Sequence, residues 1–133
     1  MITENIKALV RYRIDQADES LEAAKILLEK GLLRQTVNRS YYAMFYAVLA
    51  LLATRKMETS KHSGAIALFD KEFIKQGIFA KDFSRWLHKA FDLRQEADYK
   101  ADYQVTKEIS DITLENTVTF LKEVKTVLAK IIG

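Results

Sequence analysis

Tyr41-Tyr42-Ala43-Met44-Phe45-Tyr46-Ala47-Val48-Leu49-Ala50-Leu51-Leu52-Ala53 runs without a polar break, directly after Asn38-Arg39-Ser40. Alanine, leucine and methionine favour helix, and neither glycine nor proline interrupts the run. Such a helix has no face to give to water, so other helices or a second copy of the chain must cover it on all sides. At about 1.5 Å per residue it spans roughly 20 Å, too short for a hydrocarbon core of about 30 Å. The stretch therefore reads as the central rod of a helical bundle.

Working outward, Ile6, Val10, Ile14, Ala17, Leu21, Ala24 and Leu28 recur in steps of four and three, one apolar seam on a first helix from about Ile2 to Lys30. Gly31 supplies its left-handed stop, and so short a connection makes the second helix, Leu33 to Arg55, fold back antiparallel. Lys56 to Lys61 reads as a loop with Thr59 or Ser60 capping a third helix, lined by Ile66, Phe69 and Phe73 and ended by Gly77. Asp82 is the expected cap of a fourth helix through Trp86, Leu87, Ala90, Leu93 and Ala97. Asp98 to Tyr103 then reads as a polar, aromatic connector. A last helix starts near Thr106, with Thr117, Leu121, Val124, Leu128 and Ile131 as its seam. No alternation of period two appears, so no sheet is expected, and residues 1–133 read as one all-α domain.

Composition narrows the chemistry. The 133 residues hold no cysteine, no proline and two histidines. Thiol catalysis, disulfides and thiolate metal sites are excluded, and a transition-metal site is not expected. The net charge of +3 is spread among acids, which leaves no footprint for duplex binding. No phosphate loop, His-Glu-x-x-His pair or EF-hand spacing occurs. MITENIKALVRYR at the N-terminus lacks a signal pattern, so a cytoplasmic protein is expected, with no cofactor and no membrane segment.

A few polar residues are misplaced for a plain bundle. Arg94 shares the helical stripe of Phe83, Leu87 and Ala90, so its charge falls at the edge of the core. Stranding a charge there costs several kcal/mol, roughly 3–5 when a buried partner is removed, so Arg94 needs a carboxylate or an anionic ligand. Asp98, four residues on, is the nearest carboxylate, although arginine before aspartate is the weaker order and a helix C-terminus disfavours the acid. The pair is either a clamp on the following loop or part of a site. Arg39 opens the apolar rod with Tyr42 on its side, and Tyr42 and Tyr46 form one ladder. His62 starts the third helix, where the dipole favours a neutral ring, as a capping or surface residue or as a proton carrier. His88, between Leu87 and Lys89, is expected on the exposed side.

Asn38-Arg39-Ser40-Tyr41-Tyr42-Ala43-Met44-Phe45-Tyr46-Ala47, then His62-Ser63-Gly64 with Leu68-Phe69, then Arg94-Gln95-Glu96-Ala97-Asp98-Tyr99, resembles the HEPN domain family of prokaryotes over nearly the whole chain. The closest likeness is to small stand-alone HEPN proteins encoded beside minimal nucleotidyltransferases. The resemblance implies an up-and-down antiparallel bundle of four long helices plus a shorter one, commonly a homodimer. It implies a minimal nucleotidyltransferase partner in a toxin–antitoxin-like pair, and a nucleotide, phosphate or RNA as ligand. On that reading Arg39, Tyr42, His62, Arg94, Asp98 and Tyr99 bind the ligand or the partner. In related pairs the transferase modifies a tyrosine near the arginine motif, which marks Tyr99. Other members are metal-independent ribonucleases with an Arg-x4-6-His motif. Here no histidine follows Arg94 at four to seven positions, and Tyr99 stands five residues on. A ribonuclease reading therefore has to draw on His62, with Arg94 as the anion-stabilising group.

Overall fold

The computed structural model describes residues 2–133, among which five α-helices and one π-helical turn account for all regular structure. Helix α1 (Glu4–Glu29) begins where the Thr3 hydroxyl accepts from the Ile6 amide at 3.2 Å. It ends at Gly31, whose φ of 75° lets the Leu32 amide reach back to the Leu27 carbonyl at 2.9 Å. The chain then reverses into α2 (Leu33–Thr54).

More than half of α2 is buried, from Thr36 and Val37 through Leu51, Leu52 and Ala53. It touches α1, α3, α4 and α5, whereas α1 contacts only α2 and α5 among the described elements. The rod that cannot face water is thus the axis on which the other helices are hung. Against it α1 buries Val10, Ala17, Ser20 and Ala24, and packs the partly buried Ile6, Ile14 and Leu21. The seam read from the sequence is the seam of the structure.

Several boundaries differ from the expected ones. Helix α3 (His62–Phe69) starts after Lys61 with no side-chain cap. Thr59 instead accepts from the Lys61 amide at 3.3 Å, a hydroxyl turn that ends the loop before the helix begins. Past Phe69 the helix widens into a π turn, Asp70–Ile74, with Lys75 bonding back to Asp70 at 2.8 Å. That turn keeps Phe69 and Phe73 both fully buried, their rings 6.1 Å apart. Asp82 does not cap α4 (Lys81–Tyr99). Ala80 holds the cap position, and Asp82 lies in the first turn, where the dipole welcomes it and Arg85 pairs with it. Helix α4 also continues through Asp98 and Tyr99, so the connector begins only at Lys100. Helix α5 (Lys107–Ile132) starts as expected, with Thr106 accepting from the Ile109 amide at 3.1 Å.

Two aromatic clusters result. One is built of phenylalanines: Phe69, Phe73, Phe79, Phe83 and Phe120 tie α3, the π turn, α4 and α5 together, with centroids from 5.5 to 6.1 Å apart. The other gathers Tyr41, Tyr42, Phe45, Tyr46 and Phe91 about two polar residues, His62 and Arg94. No helix of the described residues is long and apolar enough to cross a membrane.

Leu51 is fully buried, so Leu51→Ala should cost about 2–5 kcal/mol in urea unfolding. Val118→Ala, at an exposed site on α5, should stay within about 0.5 kcal/mol of the wild type. Equal losses at the two positions would mean that the central rod is not the stabilising element.

Candidate anion-binding site

Asn38, Tyr41, Tyr42 and Phe45 stand at i, i+3, i+4 and i+7, one face of α2. Helix α4 lays Arg94 across this face, and the first residue of α3, His62, closes it. The Arg94 guanidinium carbon is 5.2 Å from the Tyr41 ring centroid, 5.6 Å from that of Tyr42 and 5.7 Å from that of Phe91. Its side chain is only 11% exposed. Cation–π attraction is worth more in such a desolvated seat than on an open surface.

Hydrogen bonding at Arg94 is incomplete. Its Nε is buried without a partner, and its Nη1 reaches the Asp98 carboxylate at 3.7 Å, an ion pair too long to be a hydrogen bond. Asp98 is shared: the Asn38 amide nitrogen donates to the same oxygen at 3.3 Å. The Asn38 carbonyl oxygen in turn accepts from Arg39 Nε and Nη2, at 3.0 and 2.9 Å. Arg39 also lies over the Tyr42 ring, 4.8 Å from its centroid. Both guanidinium groups therefore rest against the Tyr42 ring, which also lies 6.0 Å from Tyr46. Beside them, Leu27, Arg34, Gln35, Asn38, Arg39 and Asp98 line an open cleft of roughly 350 Å³.

His62 stacks on Phe45 with centroids 4.1 Å apart and planes 7° from parallel, and its Nδ1 lies 2.7 Å from the Tyr41 hydroxyl. Burial, and then the field of Arg94, hold its pKa below the usual imidazole value, so the ring is neutral. Burial also pushes the Tyr41 phenol up, against the opposing pull of Arg94, so it remains protonated.

Of the residues singled out by sequence, Arg39, Tyr42, His62, Arg94 and Asp98 converge. Tyr99 does not. At 76% exposure it has no hydrogen-bond or ring partner among the described residues. Because α4 continues through it, five steps of about 100° turn it well away from Arg94. Sequence reasoning left out Asn38, which links Arg39 to Asp98, and Tyr41, which links Arg94 to His62. Their common helical phase with Tyr42 was the available signal. His88 is exposed as expected, and pairs with Asp70 at 2.6 Å instead of joining the site. No cluster of three or more histidine or acidic side chains suited to a metal exists among the described residues.

A helical bundle thus holds two arginines on one tyrosine beside a neutral histidine, a candidate site for an anion. The HEPN domain model matches residues 10–128, and the chain belongs to the HEPN domain family. Two proteins of Methanocaldococcus jannaschii named "Putative toxin" are similar to it. One is 34% identical over 99% of this chain and 98% of its own length, the other 38% identical over 84% and 76%. A UPF0332 protein of Thermotoga maritima is 41% identical over 68% of this chain and 69% of its own length.

Burial and then Arg94 lower the pKa of His62 in the folded chain, whereas in the unfolded chain the imidazole titrates near its ordinary value of about 6.5. The unfolded state therefore binds more protons as pH falls through that value, and the stability that His62 contributes is present above it and lost below it. Urea unfolding at roughly pH 7.5 and pH 5.5, either side of the reference value, should show a larger loss for the wild type than for His62→Gln. Identical losses would contradict the neutral ring.

Proposed function

We propose that this chain is the HEPN subunit of a two-component, toxin–antitoxin-like system, and that its Arg94 pocket binds a nucleotide or phosphate group and engages a partner protein. The toxin names of two relatives support the first half. The observation that carries the second is the Arg94 guanidinium, fixed against three rings yet short of hydrogen-bond partners. Nε is sealed from the surface, but the Nη nitrogens are not and make only the long ion pair to Asp98, so they are the donors an incoming oxyanion would meet. Arginine's planar fork matches phosphate geometry, and Arg39, with Nε and Nη2 turned to Asn38, brings a second positive charge beside Tyr42. Tyrosine faces can stack on a base.

Asp98 fits this reading as a stand-in anion. Held at 3.7 Å, it balances the charge of Arg94 and is loose enough to be displaced. The partner is a minimal nucleotidyltransferase, whose own ligands are of the same chemical class. The chain, residues 1–133 as one unit, works as a cytoplasmic homodimer without a cofactor. An apolar groove between α4 and α5, lined by Met44, Trp86, Leu93, Ile109 and Ile112, offers a second copy a seat.

A second reading, a metal-independent ribonuclease, draws on one observation: His62 is neutral and lies against the same two tyrosines as Arg94. In that case Arg94 would stabilise phosphorane charge and His62 would carry the proton. Purified protein incubated with RNA in EDTA should leave the RNA intact if the chain is a binding subunit. Cleavage that His62→Ala abolishes would favour the nuclease.

Calorimetry with ATP tests the binding reading directly. Arg94→Ala should weaken binding at least tenfold, as expected for losing a charge-assisted hydrogen bond of about 1.5–3 kcal/mol. Asp98→Asn should tighten it. Unchanged affinity for both variants, with a lower melting temperature for Arg94→Ala, would reduce the cluster to a pin for the end of α4.

A further inference from the structure

His62 and Arg94 lie against the same pair of rings. The imidazole is 5.7 Å from the Tyr41 centroid and 5.6 Å from that of Tyr42, and the guanidinium carbon is 5.2 and 5.6 Å from them. What His62 can offer there depends on which nitrogen holds its single proton. Tyr41 decides this. The residue is fully buried, and among the described residues its hydroxyl has one partner, His62 Nδ1. A fully buried O–H whose one protein neighbour is a ring nitrogen is satisfied as a donor only by donating to that nitrogen. Nδ1 is then the acceptor, and the proton sits on Nε2. Nε2 has no protein partner, yet it is not among the buried unpaired atoms, so this edge of the ring is open.

We propose that Tyr41 holds neutral His62 as the Nε2–H tautomer, making the open edge of the ring a hydrogen-bond donor that acts with Arg94 on a fully ionised phosphoryl oxyanion. This rests on the anion-binding reading of the pocket and deepens it. An acceptor-only oxyanion satisfies both groups, whereas a ligand hydroxyl that must donate finds no acceptor on His62. The same tautomer leaves no lone pair on the open edge, so His62 does not serve there as a general base. Tyr41 is a positioning residue: it acts on the ligand only through the imidazole. Phe45, stacked at 4.1 Å, fixes the plane of the ring, and Arg94 and Tyr42 are the charged and titratable neighbours facing it.

Long-range proton–nitrogen correlation spectra of labelled protein, above the titration of His62, test both halves. The wild type should show His62 protonated at Nε2 with a preference of about tenfold or more. Tyr41→Phe, which removes only the hydroxyl and keeps the ring beneath Arg94, should show a mixture of tautomers. A proton on Nδ1 in the wild type, or the same single tautomer in Tyr41→Phe, overturns the role of Tyr41 and leaves the anion pocket standing. Titration with inorganic phosphate should shift the Nε2 resonance in the wild type and not in Arg94→Ala. A correctly protonated His62 that phosphate leaves unmoved overturns the shared oxyanion; the anion reading of Arg94 falls with it only if calorimetry also finds no difference between wild type and Arg94→Ala.

Discussion

A guanidinium wedged among aromatic rings is the constraint on which the candidate site depends. Arg94 is placed by a helix whose other inward residues, Leu87, Ala90, Leu93 and Ala97, are buried, so α4 cannot rotate its charge away without exposing that apolar stripe. The rings of Tyr41, Tyr42 and Phe91 accept the cation's face and leave its edges to hydrogen-bonding groups. The protein supplies those groups incompletely. An ion pair at 3.7 Å and an orphaned Nε are poor compensation for a side chain so largely withdrawn from water. Sites that hold such unspent donors in place are suited to bind anions, because little reorganisation is left to do when the ligand arrives.

The two aromatic clusters divide the labour of the bundle. The phenylalanine cluster joins α3, α4 and α5, and its one cation contact is Arg55 over Phe73 at 4.8 Å. The tyrosine cluster takes the same kind of rings and adds hydroxyls, a guanidinium and an imidazole at the meeting of α2, α3 and α4. Tyr41 shows what the addition does. Its ring packs as a core residue while its hydroxyl orients His62. Asn38 plays the corresponding part on the open side, joining Arg39 to Asp98.

Much of this was legible from the chain alone. The unbroken apolar run of α2 required cover from every side, and four helices provide it. Periodicity found the α1 seam because that helix has one buried stripe, and Gly31 marked its end because the turn needs a positive φ. Arg94 and Arg39 stood out as charges on apolar stripes, which is where the structure holds them. The misreadings share a cause. Asp98 and Tyr99 looked like a connector because they are polar, yet the helix continues through them and carries Tyr99 out of the pocket. Asp82 looked like a cap by composition, but a cap depends on backbone geometry that single residue types do not specify. The π turn after Phe69 left no mark in the pattern, since Ile66, Phe69 and Phe73 keep helical spacing through it. The link from Tyr41 to His62 joins residues of different helices, and periodicity within one helix cannot reveal it.

On the proposed reading, the polar edge of Arg94 is reserved for an external anion and only lent to Asp98. A crystal structure grown with inorganic phosphate tests this most directly. It should show phosphate oxygens on Arg94 beside the Tyr42 ring, within reach of Arg39, with the Asp98 carboxylate turned aside. A pocket without phosphate, in which Asp98 closes onto Arg94 through two short hydrogen bonds, would contradict the account and make the arginine a structural pin.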